Sequence, residues 1–535
     1  MKLSKIVALS SALCLVTSVA QAQSNPELDQ LKKQLQQMQQ NFDRIQREQK
    51  QQIDALQKQL EAVQQNQTTA VAEQDKLKEQ MSLRMDDVPR TDASELDRKP
   101  WRPTDPIRIG RGTTFMDIGL VGTFAVGGST ADDIGALQIG GHDPNQNGFT
   151  VQGLELSLSG AVDPYFRGNA NILFALDADG ESFVELEEAW LETSVLPGNL
   201  QLRGGQLLTE FGRHNVLHPH GFAFVDSPLV NARLLGPDGL RNPGARLAWL
   251  TPTPFYSELF FTVQNSHGEN ASSFRSSGGH RHGEEDEEQL PFAYRHFDND
   301  RGVNGLDDLL FTPRYALSFD LNDSHTVLLG ASAAFGPNSS GESGNNSTQI
   351  YGTDLTWRWK PVSHEGGFPF VMWQTEGLLR KYRAGEFDWD EDGNGGDEDG
   401  DGFVDGGILV DASTGLPAAL GRETLTDYGF YTQLLYGFKK GWVAGLRFDY
   451  LTGDRGNYES MPLLISDGEG GGDLLGRDPL RNERWRVSPN LTWFPTEFSK
   501  VRLQYNYDDR RDIGVDHSVW LQFEFVLGAH AAHKF

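Results

Sequence analysis

The stretch HSVWLQFEFVLGAHAAHKF, residues 517–535, ends the chain. From Val519 onward the odd positions, apart from His533, are apolar: Val519, Leu521, Phe523, Phe525, Leu527, Ala529, Ala531 and, in phase with them, Phe535. The even positions carry Gln522, Glu524, His530 and Lys534. Successive side chains of a strand point to opposite faces, so this alternation describes a strand with one apolar and one wet face. Such a strand fits a buried sandwich, or a wall with lipid on one side and water on the other. The choice falls to the rest of the chain.

Working back from this stretch, segments of roughly ten residues with the same alternation recur from Thr114 onward. They include FTVQGLELSLSG, FRGNANILFALD, YSELFFTVQN and VRLQYNYDD. Sixteen segments are counted, starting near residues 114, 149, 165, 184, 201, 243, 256, 310, 325, 347, 368, 423, 440, 484, 500 and 517. The even-numbered joints are short: VDPY, LPGN, TPTP, LNDS, KPVSHEGG, KKG and PTEFS. Most odd-numbered joints are longer, the ADGES region at the third being a short exception. Tight turns at one end and long loops at the other are expected of an outer-membrane barrel, whereas a soluble sandwich has no reason to segregate loop length. A membrane barrel must close, because an open edge in lipid leaves backbone groups unpaired, so the last strand is expected to pair with the first.

Composition agrees. Hydrophobic residues make up 38% of the 535, aromatics 10%, and there are 59 glycines. That mixture suits many turns and strands with one wet face. The net charge of -28 excludes nucleic acid as a partner, since phosphates need a basic surface, and suits a protein that meets cations.

The N-terminal part reads differently. Residues 1–22 have a basic start (Lys2, Lys5), an apolar run from Ile6 to Val19 and the small-residue ending AQA, the pattern of a signal peptide. The single cysteine, Cys14, falls inside it, so the mature chain has neither disulfides nor thiolate chemistry. Residues 23–82 are rich in Gln and Lys. Leu28, Leu31, Leu35, Met38, Phe42 and Ile45 step by three and four, Gln49 takes the next seam position, and Ile53, Leu56, Leu60 and Val63 resume after a stutter. This predicts a periplasmic α-helical coiled coil, parallel and trimeric, with a single solvated helix as the alternative. Residues 83–112 read as a linker. The expected fold is therefore all-β, a transmembrane antiparallel barrel of about 16 strands over residues 113–535, preceded by the coiled coil.

Phe535, in phase at the end of the last strand, resembles the C-terminal signal read by the barrel-assembly machinery of Gram-negative bacteria. The whole arrangement resembles the porin superfamily. Within it, LPGNLQLRGGQLLTEFGRHNVLHPHGFAFVDSPLVNARLLGPDGLRNPGARLAWLTP and the ending LGAHAAHKF resemble a proteobacterial family often labelled zinc-regulated outer-membrane receptors, with phosphate-selective porins as distant relatives. The resemblance implies an outer-membrane location, contact with lipid and lipopolysaccharide, and a homotrimer. The label also implies TonB coupling. This sequence departs from it there, because a coiled coil and linker stand where such receptors carry a folded plug.

Three outer loops hold the candidate sites. The third, RHNVLHPHGFAFVDSPLVNARLLGPDGLRN, is unusually apolar for an exposed loop, with Phe222, Phe224, Val225, Leu229, Val230, Leu234 and Leu235. In sixteen-stranded porins this loop folds inward, and the resemblance implies the same here. His214, His218, His220, Asp226 and Arg233 would then line a constriction, where such groups set ion selectivity. The alternative is that the histidines hydrogen-bond the loop in place. The fourth loop gathers His267, His280 and His282 with Glu284 and Glu285, a donor set suited to zinc, copper or nickel, or else a solvated loop. The sixth places Asp388, Asp390 and Asp392, then Asp397, Asp399, Asp401 and Asp405, at alternate positions around glycines. Oxygens so spaced converge on calcium, although the bidentate Glu expected at the twelfth position is missing, Asp399 closing the first loop and Ile408 the second, and an acidic solvated loop is the alternative.

No catalytic constellation is present: neither Gly-x-Ser-x-Gly nor His-Glu-x-x-His nor a phosphate-cradling glycine loop occurs. The expected function is a passive channel for small hydrophilic solutes or ions, linked to divalent metal uptake, with no cofactor required. An anion or phosphate channel and a non-conducting adhesin or structural barrel are the alternatives.

Overall fold

The computed structural model describes residues 107–528, apart from 112, 133, 135–139, 178–179, 195, 269, 276–289, 297–302, 342–344, 391–392, 394–395 and 397–403. The signal peptide, the heptad seam and Phe535 lie outside the described residues.

Among these residues sixteen long strands run antiparallel in chain order. The first eight are β1 (Thr114–Ser129), β2 (Gly148–Ala161), β3 (Phe166–Leu176), β4 (Ser182–Thr193), β5 (Leu200–Leu208), β6 (Arg241–Leu250), β7 (Tyr256–Asn265) and β8 (Leu309–Asn322). The second eight are β9 (His325–Pro337), β10 (Ser347–Trp359), β11 (Phe370–Ala384), β12 (Glu423–Lys439), β13 (Trp442–Gly453), β14 (Arg484–Thr496), β15 (Ser499–Arg510) and β16 (Gly514–Gly528). Each begins within three residues of a segment start read from the sequence. β1 pairs with β2 on one side and with β16 on the other, from Gly119 opposite Gly528 to Ser129 opposite Ser518. The ring is therefore closed. A short leading strand, Ile107–Arg111, folds back on β1 at residues 114–118, just beyond the end of β16.

The alternation has its expected meaning. Val519, Phe523, Phe525 and Leu527 face outward and are exposed, while Trp520 and Gln522 point inward and are buried. The same holds on β15, where Leu503 and Tyr505 are exposed and Lys500, Arg502, Gln504 and Asn506 are buried. Exposed leucines and aromatics surround the ring, with Trp249, Phe255, Tyr256, Tyr436, Phe438 and Trp493 near the short-turn end. Polar atoms cannot be satisfied by lipid, so an apolar exterior over a polar lumen is the arrangement of a barrel that crosses a membrane. Loop lengths divide as expected. Residues 209–240, 266–308, 385–422 and 454–483 are long joints on one side, and 323–324, 440–441 and 497–498 are tight turns on the other. The joint at 511–513 is a second short exception on the long side.

Candidate pore constriction

The third outer loop, residues 209–240, leaves β5 and enters the ring. Its neck is zipped by backbone pairing of Thr209 N–H with the Leu240 carbonyl at 2.9 Å. The Asn215 amide clamps both legs, donating to the Thr209 and Leu240 carbonyls (2.8 and 2.9 Å) and accepting from Leu240 N–H (2.7 Å). Beyond the neck the loop turns on Gly212, whose φ of 61° and lack of a Cβ let its backbone lie against the Glu376 carboxylate of β11. The N–H groups of Arg213 and His214 donate to that carboxylate, each at 3.2 Å.

Of the seven apolar residues singled out in this loop, six are buried, as expected, and Phe222 is half-buried. Helix α1 (Leu229–Leu235) presses Val230, Leu234 and Leu235 into a cluster with Phe274 of the fourth loop and inward-facing Leu310, Ala334, Ile350, Leu378 and Tyr431. Burying each large apolar side chain contributes about 1.5–3 kcal/mol, enough together to hold a loop of this size inside the ring. The helix stops at Gly236, with φ of 108°. The lumen beside β8–β12 thus holds this apolar cluster together with the buried ion pairs Arg314–Asp354 and Arg380–Asp427.

The wall at β13–β15 is rich in basic residues, and the loop shares their charge with Asp449 and Asp508 of the wall and Glu524 of β16. Asp226 pairs with Arg447 at 2.6 Å and Arg486 at 3.2 Å, and accepts from Gln504 and Asn506, both at 2.9 Å. Arg502 donates to the Phe222 and Phe224 carbonyls (2.9 and 2.8 Å), and Lys500 to the His220 carbonyl (2.7 Å). Burial disfavours the Asp226 carboxylate, but Arg486 and Arg447 outweigh it and bring its pKa to about 2.

The remaining wall, β2–β4, is acidic. Glu155 of β2 and Glu187 and Glu188 of β4 are buried and point inward. Two neighbouring residues of a regular strand cannot both do so. Here a β-bulge intervenes: Asn171 pairs with Glu188 and Ile172 with Leu186, which leaves Glu187 as the extra residue. His218 faces this wall, with Nδ1 3.0 Å from Glu187 and Nε2 3.1 Å from Glu188. His220 Nδ1 lies 2.7 Å from Glu155, and the two imidazoles stack with centroids 5.7 Å apart. Burial alone would lower the His218 pKa, but Glu155 and Glu187 outweigh it and hold it well above the usual range. A narrow cavity of about 40 Å³ lined by His142, Glu187, His214, His218, Asp238 and Arg241, among others, opens between loop and wall.

The five residues expected at a constriction therefore share one loop but not one environment. His218 and His220 face the acidic wall. His214 packs against Phe222, the tilted rings having centroids 4.3 Å apart, and burial, with Arg447 adding, drops its pKa to about 3. Asp226 anchors the loop to the basic wall. Arg233 donates to the Asn482 carbonyl at 2.9 Å, and burial, then Arg484, lower its pKa to about 9. Of the fourth-loop set, His267 bridges to Arg275, while His280, His282, Glu284 and Glu285 lie outside the described residues. Of the sixth-loop set, Asp388 sits in a two-residue strand paired with Ala419–Leu420, Asp390 N–H donates to the Asp388 carboxylate, and Asp405 N–H donates to the Gly396 carbonyl. Asp392, Asp397, Asp399 and Asp401 lie outside the described residues. Sequence reading passed over Glu155, Glu185, Glu187, Glu188, His142 and Asp238. The one available signal was the doubled Glu in ELEEAW, a break in the alternation that marks the bulge.

No protein-family model matches the chain. An uncharacterized protein of Aquifex aeolicus (strain VF5) is 26% identical over 415 residues, covering 74% of this chain and 73% of the relative. Among solved structures, the outer membrane channel DcaP of Acinetobacter baumannii is similar over 77% of this chain and 97% of its own, with 11% identity and a TM-score of 0.44. An anion-selective porin from Comamonas acidovorans is similar over 77% and 99%, with 8% identity and a TM-score of 0.42. OprB of Pseudomonas putida is similar over 77% and 94%, with 11% identity and a TM-score of 0.42. At such identities nothing beyond a barrel architecture is shared, and no solute follows from it.

Proposed function

We propose that this barrel is a passive outer-membrane channel favouring small cations, divalent metal ions such as zinc among them. One observation carries the reading: the third loop covers the basic wall and leaves the acidic one facing a cavity. Arg447, Arg486, Arg502 and Lys500 spend their charge on Asp226 and loop carbonyls, on the wall's own Asp449 and on Glu524 of β16. Toward the short-turn end Arg203 and Arg246 are paired with Glu192 and Glu210. Glu187 lines the space, with Glu155 and Glu188 buried on the same wall, and rings of carboxylates select cations. The fourth-loop histidines and acids would gather such ions at the mouth, and the Asp-rich sixth loop would hold calcium. The heptad seam would hold three copies together on the periplasmic side.

Reversal potential across a planar bilayer with a potassium chloride gradient tests this. The expected sign is that of cation selectivity. The opposite sign would establish the anion-channel alternative. A second reading, a non-conducting structural barrel, has its own support: the loop is anchored at β2, at β4 and from β11 through β15, and a second apolar cluster including Tyr294, Tyr382, Leu409 and Tyr458 packs the outer loops over the mouth. The absence of single-channel steps would decide for it.

A further inference from the structure

The bulge at Glu187 does more than add negative charge to the wall. It aims the two oxygens of one carboxylate at two different histidines: Oε2 lies 3.0 Å from His218 Nδ1 and Oε1 lies 3.7 Å from His142 Nε2. Each histidine also faces further carboxylates. Glu155 Oε1 is 3.8 Å from His218 Nδ1, and His142 Nε2 is 3.4 Å from Asp238 and 3.8 Å from Glu185. We propose that Glu187 links two metal-ligating triads into a divalent-cation site within the lumen, His218 with Glu155 and Glu187, and His142 with Glu185 and Asp238.

The spacing decides between ion pairs and ligands. Two donors, each about 2.1 Å from one ion at a tetrahedral angle, stand roughly 3.4 Å apart. The separations around His142 and His218 bracket that value. Within each triad all three donor atoms lie within 4.8 Å of one another. Most of the contacts are longer than a charged hydrogen bond of about 2.7–2.9 Å, so closing them with an ion would strengthen what side chains alone leave open. Electrostatics favours the same occupant. Even with all three imidazoles charged and Arg241 counted against Glu185, the five carboxylates of the cluster leave it negative. Burying such an excess is costly unless a cation joins it. The donors are imidazole and carboxylate with no thiolate, which suits zinc, nickel or cobalt rather than a soft ion. The cavity that His142, Glu187, His218 and Asp238 line gives an ion access.

The site deepens the cation-channel reading, where it would serve as a station of two adjacent positions on the route, since conduction needs binding that several sites share and none holds tightly. Zinc binding is read in solution without any current, so the two can fail separately. The experiment is calorimetric titration of zinc chloride into the folded full-length barrel, with folding confirmed by heat-modifiable migration. Glu187→Gln keeps the shape and removes the shared charge. It should weaken zinc binding by roughly 100-fold or more, since losing even an outer-shell partner of a metal ligand costs 10–100-fold. His142→Gln should remove one equivalent and leave the other. Should Glu187→Gln fail to fold, His218→Gln tests the first triad alone with the same expectation. Wild-type affinity in these variants, or no zinc binding by the wild type, overturns the site and leaves only imidazolium–carboxylate ion pairs. Zinc lost on Glu187→Gln in a barrel that passes no current would keep the site and overturn the channel.

Discussion

Single residues in the third loop carry separable duties. His214 is buried against Phe222 and its pKa is about 3, below the ordinary 6.5. The folded state resists its protonation and the unfolded state does not. Its contribution is therefore fully present above pH 6.5 and is lost progressively as pH falls toward 3. We expect protease cleavage within the loop to rise over that window, and His214→Phe to flatten this component. An imidazole nitrogen resonance showing His214 charged at pH 5 would contradict the assignment. Asp226 makes the opposite kind of contribution. Removing one partner of a buried ion pair leaves the other uncompensated, which costs about 3–5 kcal/mol. Asp226→Ala should thus loosen the seat on β13–β15, seen as faster amide exchange from Phe222 to Ser227, whereas Asp226→Asn should cost less because its amide oxygen still accepts from one of Gln504 and Asn506.

At the scale of elements, the loop is a separable insert in a wall that closes without it. Deleting Gly221 to Pro237 should leave a heat-modifiable barrel and raise single-channel conductance, and unchanged conductance would place the loop outside the ion path. The wall was legible in the sequence and the site was not, for physical reasons. Val519, Leu503 and Phe523 announce their strands because lipid on one face and water on the other impose a strict alternation. Glu187 and Glu188 escape that rule because a bulge reverses the phase for one residue, and no propensity reveals which way the extra side chain turns. The apolar residues of the third loop signalled burial, but their partners Leu310, Ile350 and Tyr431 lie about 75 to 200 residues away along the chain. The same distance hid the division of labour among His214, His218 and Asp226, which look alike as polar residues of one loop.

For the whole molecule, the charge distribution rather than the total of -28 should govern permeation. Glu155→Gln with Glu188→Gln should move the cation preference toward unity, while neutralising exposed acids of the outer loops should mainly change its dependence on salt, because exposed charges are screened. The heptad seam makes a further claim on assembly. Sedimentation of the detergent-solubilised protein should show a trimer that a chain lacking residues 24–82 does not maintain, and an unchanged mass would assign oligomerisation to the barrel wall instead.

The third loop is fastened on one side by Glu155 and Glu188 and on the other by Arg447, Arg486 and Arg502. A hoop of strands is stiff along its hydrogen bonds but bends easily across them, and lateral pressure from lipid tends to flatten it. A spoke rooted between β5 and β6 and fixed across the ring at β13–β15 resists that flattening, as a tie rod keeps an arch from spreading. Cutting the spoke should therefore do two things to an electrical record. The mean current rises because the bore is wider, and its noise rises because the bore has begun to breathe.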